Sequence, residues 1–177
     1  MNVRSLDYLE TTRLSYERLR PEHHDEIARL LLDPQVSRTL WPQKSTPTQA
    51  DVDDSMAARC EHWERFGFGL WLLRDRHTGE MVGRGGLQHT YVAGVQGIEA
   101  GWAIVPQRWG EGLATELALT SIEVAFEDLD LPEVVAFALP ENIASRRVME
   151  KAGFNYVRPV LHAGLPHVLY RRRRARC

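Results

Sequence analysis

Only two cysteines, Cys60 and Cys177, occur in the 177 residues. Two thiols cannot build a disulfide framework or a four-cysteine zinc site, and so sparse a supply fits a reducing, cytoplasmic compartment. No stretch approaches the roughly 20 consecutive apolar residues of a membrane span, and Met1 to Glu10 lacks the apolar centre of a signal peptide. The His, Cys, Asp and Glu residues fall in no metal-ligand spacing, so no metal is expected. A Gly-x-Ser-x-Gly elbow and a hydrolase-type Ser-His-Asp order are also missing. Low hydrophobicity with high net charge, the mark of disorder, is absent: the chain is 44% hydrophobic with a net charge of −2.

What is present suffices for one domain, residues 1–177, since a chain this long buries about 70% of its unfolded surface. The charge is uneven. Arg171, Arg172, Arg173, Arg174 and Arg176 crowd the last seven residues, and without these five the net charge passes from −2 to −7. An acidic body does not suit a nucleic-acid-binding face, and the Arg-rich tail is left without an assigned role.

Arg13 to Leu19 alternates apolar and polar residues, as a half-buried strand does. Pro21 opens a helix carrying Ile27, Leu30 and Leu31, which Asp33-Pro34 ends. Leu40-Trp41-Pro42 reads as irregular. Thr46 or Thr48 caps a second helix over 48–66. Strands are predicted at Phe68–Arg74, at the glycine-rich Met81–Leu87 and at Gly97–Val105. In the last, Ile98, Ala100, Trp102 and Ile104 share one face, and Glu99, Gly101, Ala103 and Val105 the other. A helix over 112–128, a strand at Glu133–Leu139, a helix at Asn142–Lys151 closed by Gly153, and short strands at Phe154–Val157 and His167–Arg171 complete a mixed α/β pattern.

The stretch richest in chemistry is Val105-Pro106-Gln107-Arg108-Trp109-Gly110-Glu111-Gly112-Leu113-Ala114-Thr115. A strand enters a glycine-punctuated turn that opens a helix, and unpaired N–H groups with a positive dipole end suit a pyrophosphate. A P-loop would need Gly-Lys-Ser/Thr, and no lysine follows these glycines. A dinucleotide fingerprint would need Gly or Ala where Thr115 stands. The Gln-x-x-Gly-x-Gly pattern of Gln107, Gly110 and Gly112 resembles the pyrophosphate loop of the GNAT N-acetyltransferases, which bind acetyl-CoA. The run Asn142-Ile143-Ala144-Ser145-Arg146-Arg147-Val148-Met149-Glu150-Lys151-Ala152-Gly153-Phe154 is similar to that family's second motif, beside the thiol arm of the coenzyme. Glu10-Thr11-Thr12-Arg13-Leu14, Asp75 to Gly83 and Trp109 to Glu116 resemble its RimJ/RimL-type branch, which acetylates ribosomal-protein N-termini. The resemblance spans about residues 10–172.

The resemblance implies a twisted, mostly antiparallel sheet of about seven strands with helices on both faces. It implies that acetyl-CoA is the acyl donor and that an amine attacks it directly in a ternary complex. Ile104, Val105, Gln107, Arg108, Trp109, Gly110, Glu111, Gly112, Leu113, Ala114 and Thr115 would hold the pantetheine and pyrophosphate, mostly through backbone amides, with Asn142 and Ser145 on the second motif. Arg108 reads equally as a phosphate contact or a solvated surface residue.

Glu99 is the candidate general base, from the branch's Glu-x-Gly stretch. With an unperturbed pKa of about 4.3 it needs burial or a water relay. It reads equally as a structural or substrate-orienting carboxylate. Where many relatives carry a tyrosine acid this chain has Met149, and Ser145, one turn earlier, is the substitute donor to the sulfur.

The acceptor would be a small-molecule amine or a peptide N-terminus, ribosomal proteins included, with the chain a monomer or homodimer. His89, His162 and Trp41 are candidates for the acceptor side. The acidic residues Asp51, Asp53, Asp54, Glu61 and Glu64 form either a solvated helix face or an attraction for a cationic acceptor. The alternatives are a non-catalytic acyl-CoA-binding module of the same fold, or a ribosome- or nucleic-acid-associated protein using the Arg tail.

Overall fold

The computed structural model describes residues 4–44, 46–92 and 94–175, so Arg176 and Cys177 of the Arg-rich end lie outside the described residues. In chain order the elements are β1 (Tyr8–Glu10), β2 (Leu14–Arg18), α1 (His24–Leu31), α2 (Pro34–Leu40), α3 (Gln49–Phe66), β3 (Leu70–Asp75), β4 (Met81–Val92), β5 (Val95–Ile104), α4 (Leu113–Glu123), β6 (Glu133–Ala138), α5 (Ile143–Lys151), β7 (Asn155–His162) and β8 (Leu165–Arg173). The strands form one eight-stranded sheet in the order β1-β2-β3-β4-β5-β6-β8-β7. Every neighbouring pair is antiparallel except β5 and β6. This is the mixed α/β, mostly antiparallel architecture expected, with one strand more.

The alternation read from β5 and its partner β4 decides which helix meets which residue. On one face Arg84 of β4 donates to Ser55 of α3, and Ala103 of β5 packs with Leu30 of α1 and Val36 of α2. On the other face Leu117 of α4 lies over Gly85. The central core contains Leu14, Tyr16, Trp63, Trp71, Leu72, Leu87 and Leu117. Tyr16 and Trp71 meet edge to face at 5.8 Å, and Trp71 and Trp63 at 6.0 Å. Both buried indoles keep a hydrogen bond, Trp63 donating to the Leu70 carbonyl and Trp71 to that of Leu6, so their bulk costs no unpaired donor.

Several boundaries differ from the sequence expectations. Pro34 ends α1 and also opens α2, because the Asp33 carboxylate caps the new helix by accepting from the Gln35 N–H. The helix capped by Thr48 is therefore the third. Its capping box is reciprocal, with Thr48 and Asp51 each accepting from the other's backbone. α4 stops at Glu123 and widens into a π-helical turn over Val124–Asp128. β4 continues past Leu87 to Val92. The last two strands are longer because Ala163 and Gly164, both at positive φ, close them into a tight hairpin. The arginines at the C-terminal end are not a free tail: Arg171 and Arg173 pair with Glu133, Arg174 with Asp130, and Arg172 donates to the Ala152 carbonyl.

Gly85 has no room for a side chain. A Cβ there would stand 2.5 Å from both the Gly101 carbonyl oxygen and Leu117 Cδ2. Gly85→Ala is therefore expected to destabilise the fold by about 1–3 kcal/mol through overpacking. Urea denaturation checks this, and an unchanged midpoint would contradict it.

Candidate functional site

The one parallel contact in the sheet is also its weakest. β5 and β6 are paired only at Glu99 and Val135, although β5 runs five residues further, to Ile104. Val105 N–H donates to Val82 O, so ladder alternation turns the backbone groups of Trp102 and Ile104 the other way, toward the departing β6. The Ile104 carbonyl is taken by the Trp109 indole N–H at 2.7 Å. The strands thus part into a gap with exposed backbone groups on its β5 wall. Of the two expected pantetheine contacts, Ile104 faces this gap and Val105 is bonded into β4.

The glycine turn stands at the mouth of the gap. Gly110 and Gly112 have φ of 83° and 81°, a region that only glycine enters at little cost. Gly112 is the N-cap of α4 and offers no side-chain cap. The N–H groups from Gly110 through Thr115 donate to no acceptor among the described residues. Leu113 is fully buried and anchors the helix start, while Gln107, Glu111 and the 48% exposed Trp109 border it. Ala114 and Thr115 are half-buried in the first turn. Converging amides at a helix start make an anion cradle, and this one fits a pyrophosphate.

The charges around the turn are tied to local partners. Arg108 is held by Glu111 at 2.8 Å and Asp75 at 2.9 Å, which raises its pKa and uses its guanidinium locally. Arg13, which the sequence did not single out for this role, is the neighbouring cation. It donates to the Glu111 carbonyl and to Glu116, and its Nη2 lies 3.6 Å from where a Gly112 Cβ would be. Burial alone would raise the Glu116 pKa, but hydrogen bonds from Thr11 and Arg13 outweigh it and hold the carboxyl low. The β1–β2 connection is thereby pinned to the start of α4.

Across the gap, α5 begins just beyond β6. Asn142 caps it by accepting from Ser145 N–H at 3.1 Å. The Ser145 hydroxyl is half-buried and makes no hydrogen bond among the described residues, and Met149, one turn on, is 1% exposed. An open cleft of about 380 Å³ lies at the same end, lined by Pro42, Leu139, Pro140, Glu141, Leu165 and Pro166.

Glu99 lies on the α1–α3 face of β5. Gln88 Nε2 donates to its Oε2 at 3.0 Å. Removal from water raises its pKa, against the lowering effects of Gln88, Arg59 and Thr90. On this face the sequence reading missed three residues: Gln88 and Arg59, which act on Glu99, and Arg84, four residues along the strand pair. Their only signal was an arginine inside the glycine-rich Gly83-Arg84-Gly85.

The other acceptor-side candidates are accounted for locally. His89 joins His62, Phe66 and Phe68 in a ring cluster, and burial lowers the pKa of both histidines. His162 stacks on Phe137 beside His167. Trp41 packs against the core. Asp53 pairs with His24, Asp51 with Lys44 and Glu64 with Arg18, while Asp54 and Glu61 are exposed. The carboxylates of α3 therefore line its outer side. Among the described residues no three His, Cys, Asp or Glu side chains gather as a metal site, and no helix is long and apolar enough to cross a membrane.

A parted parallel pair facing a turn of free amides agrees with the family comparison. The model of the acetyltransferase (GNAT) domain matches residues 13–155. The chain belongs to the GNAT acetyltransferase family. It is 30% identical over 108 residues to the uncharacterised protein YkkB of Bacillus subtilis (strain 168), a match covering 61% of this chain and 63% of YkkB. It is 29% identical over 164 residues to the FsC-acetyl coenzyme A-N(2)-transacetylase of Aspergillus fumigatus, covering 89% of this chain and 68% of that protein. Among solved structures, RimL, a ribosomal alpha-N-protein acetyltransferase in complex with coenzyme A, superposes with a TM-score of 0.73 at 15% identity, over 94% of this chain and 97% of that one. The RimJ/RimL-like fold resemblance is thus met in three dimensions.

The raised pKa of Glu99 has a sign that stability can test. Its carboxyl binds a proton more readily folded than unfolded, so its contribution is fully present below the unfolded value and is lost as pH rises through the folded one. Glu99→Gln is expected to melt higher than the parent at pH 7–8, with the difference shrinking toward pH 4. A parent that melts higher than the variant at neutral pH would contradict the burial account.

Proposed function

We propose that this N-acetyltransferase transfers the acetyl group of acetyl-CoA to a primary amine, by direct attack while both substrates are bound. The observation that carries this reading is the gap between β5 and β6, open toward six consecutive unpaired N–H groups at the start of α4. The name of the Aspergillus relative, an acetyl coenzyme A transacetylase acting at nitrogen, supports it.

The amides from Gly110 to Thr115 bind the pyrophosphate, and the Trp102 backbone groups and the Ile104 N–H align the pantetheine by strand-like hydrogen bonds. Bound acetyl-CoA supplies an activated thioester with a good leaving group. Glu99, its basicity raised by burial, takes the proton that an alkylammonium must lose before its nitrogen can attack. The Ser145 hydroxyl donates a hydrogen bond to the sulfur side of the gap, standing in for the tyrosine whose place Met149 fills. A serine is a poor acid, so its role is to stabilise charge rather than to deliver a proton.

Acetyl-CoA at about a thousand times its Kd is expected to stabilise the fold by about 4 kcal/mol, and free thiol should appear when an amine is added. The acid limb of kcat/KM should lie above the ordinary carboxylate range, reflecting the raised Glu99 pKa, and vanish in Glu99→Gln. Absence of any acetyl-CoA-dependent shift in melting would overturn the coenzyme assignment. A full-rate Glu99→Gln enzyme with an unaltered pH profile would overturn the base assignment alone.

A further inference from the structure

Two arginines are built into the α1–α3 side of the sheet without a carboxylate to neutralise them. Arg84 is 7% exposed. Its one hydrogen bond among the described residues runs from Nη1 to Ser55 Oγ at a long 3.4 Å. Arg59, one helical turn beyond Ser55 on α3, has a buried Nε with no partner. Neither is within 4.0 Å of an acidic oxygen among the described residues, where Arg13, Arg18, Arg74 and Arg108 all are. Burial lowers the pKa of both, that of Arg84 to about 9; the Arg59 charge lowers that of Arg84 further, and Glu99 raises that of Arg59. Buried guanidinium groups are normally paired, because an isolated buried cation is costly.

The same face carries the complementary vacancy in hydrogen bonding. Gln88 gives its Nε2 to Glu99, and its Oε1 is buried with no donor. Glu99 and Gln88 are cross-strand neighbours, as are Ala103 and Arg84 four residues along. Between Glu99 and Ala103 stands Gly101, where a Cβ would meet nothing within 4 Å except Glu99 Oε1 at 3.6 Å. Gly101 therefore leaves room beside Glu99 and the orphan Gln88 oxygen, on the face that carries Arg84 four residues along and against which Arg59 is set, neither arginine having an ion-pair partner among the described residues. The acidic side chains of α3 cannot fill it, since they line the outer side of that helix.

We infer that the acceptor is an amino carboxylate of the free amino acid class: its nitrogen sits at Glu99 and Gln88 Oε1, and its carboxylate is held by Arg84 and Arg59. This rests on the acetyl-transfer reading and narrows it. The planar guanidinium fork matches a carboxylate in two parallel hydrogen bonds. Gln88 accepts from the amine and fixes its direction, while Glu99 takes the proton. Arg84 and Arg59 are binding residues that decide which amines enter, and they play no part in the proton transfer.

The test is thiol release with free amino acids, ω-amino acids from β-alanine to 6-aminohexanoate, and for each the matching amide and decarboxylated amine, together with short peptides and an aminophosphonate. The carboxylated amines are expected to exceed their amides in kcat/KM by about 100-fold or more. Arg84→Gln and Arg59→Gln should each erase most of that preference through KM, with no change in acetyl-CoA-induced stabilisation. Equal or better use of amides, decarboxylated amines or peptide N-termini overturns the inference while leaving acetyl transfer intact. So does a preference confined to the phosphonate, or a loss of acetyl-CoA affinity in Arg84→Gln, which would assign the arginines to the coenzyme. Calorimetric titration of the same amino acids into the free protein needs no coenzyme. Binding weakened by Arg84→Gln supports the inference even if acetyl transfer fails, and no binding of any amino carboxylate overturns it. Should a glutamine variant not fold, the Lys variants, which keep the charge but lose the fork, give the same reading through a partial loss.

Discussion

The parting of β5 from β6 is the constraint on which the rest of the molecule depends. A parallel pair held at one register position leaves strand backbone unpaired inside a fold, and such groups are expensive unless something else satisfies them. The chain meets part of that demand itself, by turning the Trp109 indole back onto the Ile104 carbonyl. What remains is a backbone edge with the hydrogen-bonding groups that another strand would engage. The glycine turn follows β5 and the Asn142 cap follows β6, so both fall at the mouth of the gap because of where the strands end.

Charge is distributed about this gap with a consistent logic. Near the turn, Arg13 and Arg108 are each tied to a carboxylate or a carbonyl, which leaves the backbone dipoles as the turn's unengaged groups. On the α1–α3 face the pattern reverses: among the described residues Arg84 keeps one long hydrogen bond to Ser55, and the Arg59 Nε has no partner. The acidic surface of α3, which looks from composition like an attractor for cations, faces away from the sheet and serves the helix's own cap and ion pairs. The net charge of a segment is thus a poor guide to the charge of the face it turns inward, because a helix separates the two every 3.6 residues.

Much of the fold was legible in order along the chain. The strand at 97–105, the turn at 107–112, the helix capped by Thr46 or Thr48 and the Asn142–Lys151 helix rest on local signals, namely alternation, glycine placement and capping side chains, and all recur within a residue or two, with Thr48 as the cap. Features set by two distant segments were not legible. The hairpin of β7 and β8 was hidden by Pro159 and Pro166, which weaken any strand pattern, and α2 was hidden because Pro34 serves as a stop and a start at once.

The sequence by itself determined the family motifs, the two faces of β5 and the placement of Glu99 opposite Trp102, since each follows from spacing within one segment. Only the tertiary structure decided that Arg108 is neutralised by Asp75, that Arg13 reaches the turn, and that Arg59, Arg84 and Gln88 share the face of the sheet that carries Glu99. A charged or amide side chain reads the same in a sequence whether it is solvated, paired or buried alone. Its electrostatic meaning comes from neighbours supplied by other elements and from the water they exclude.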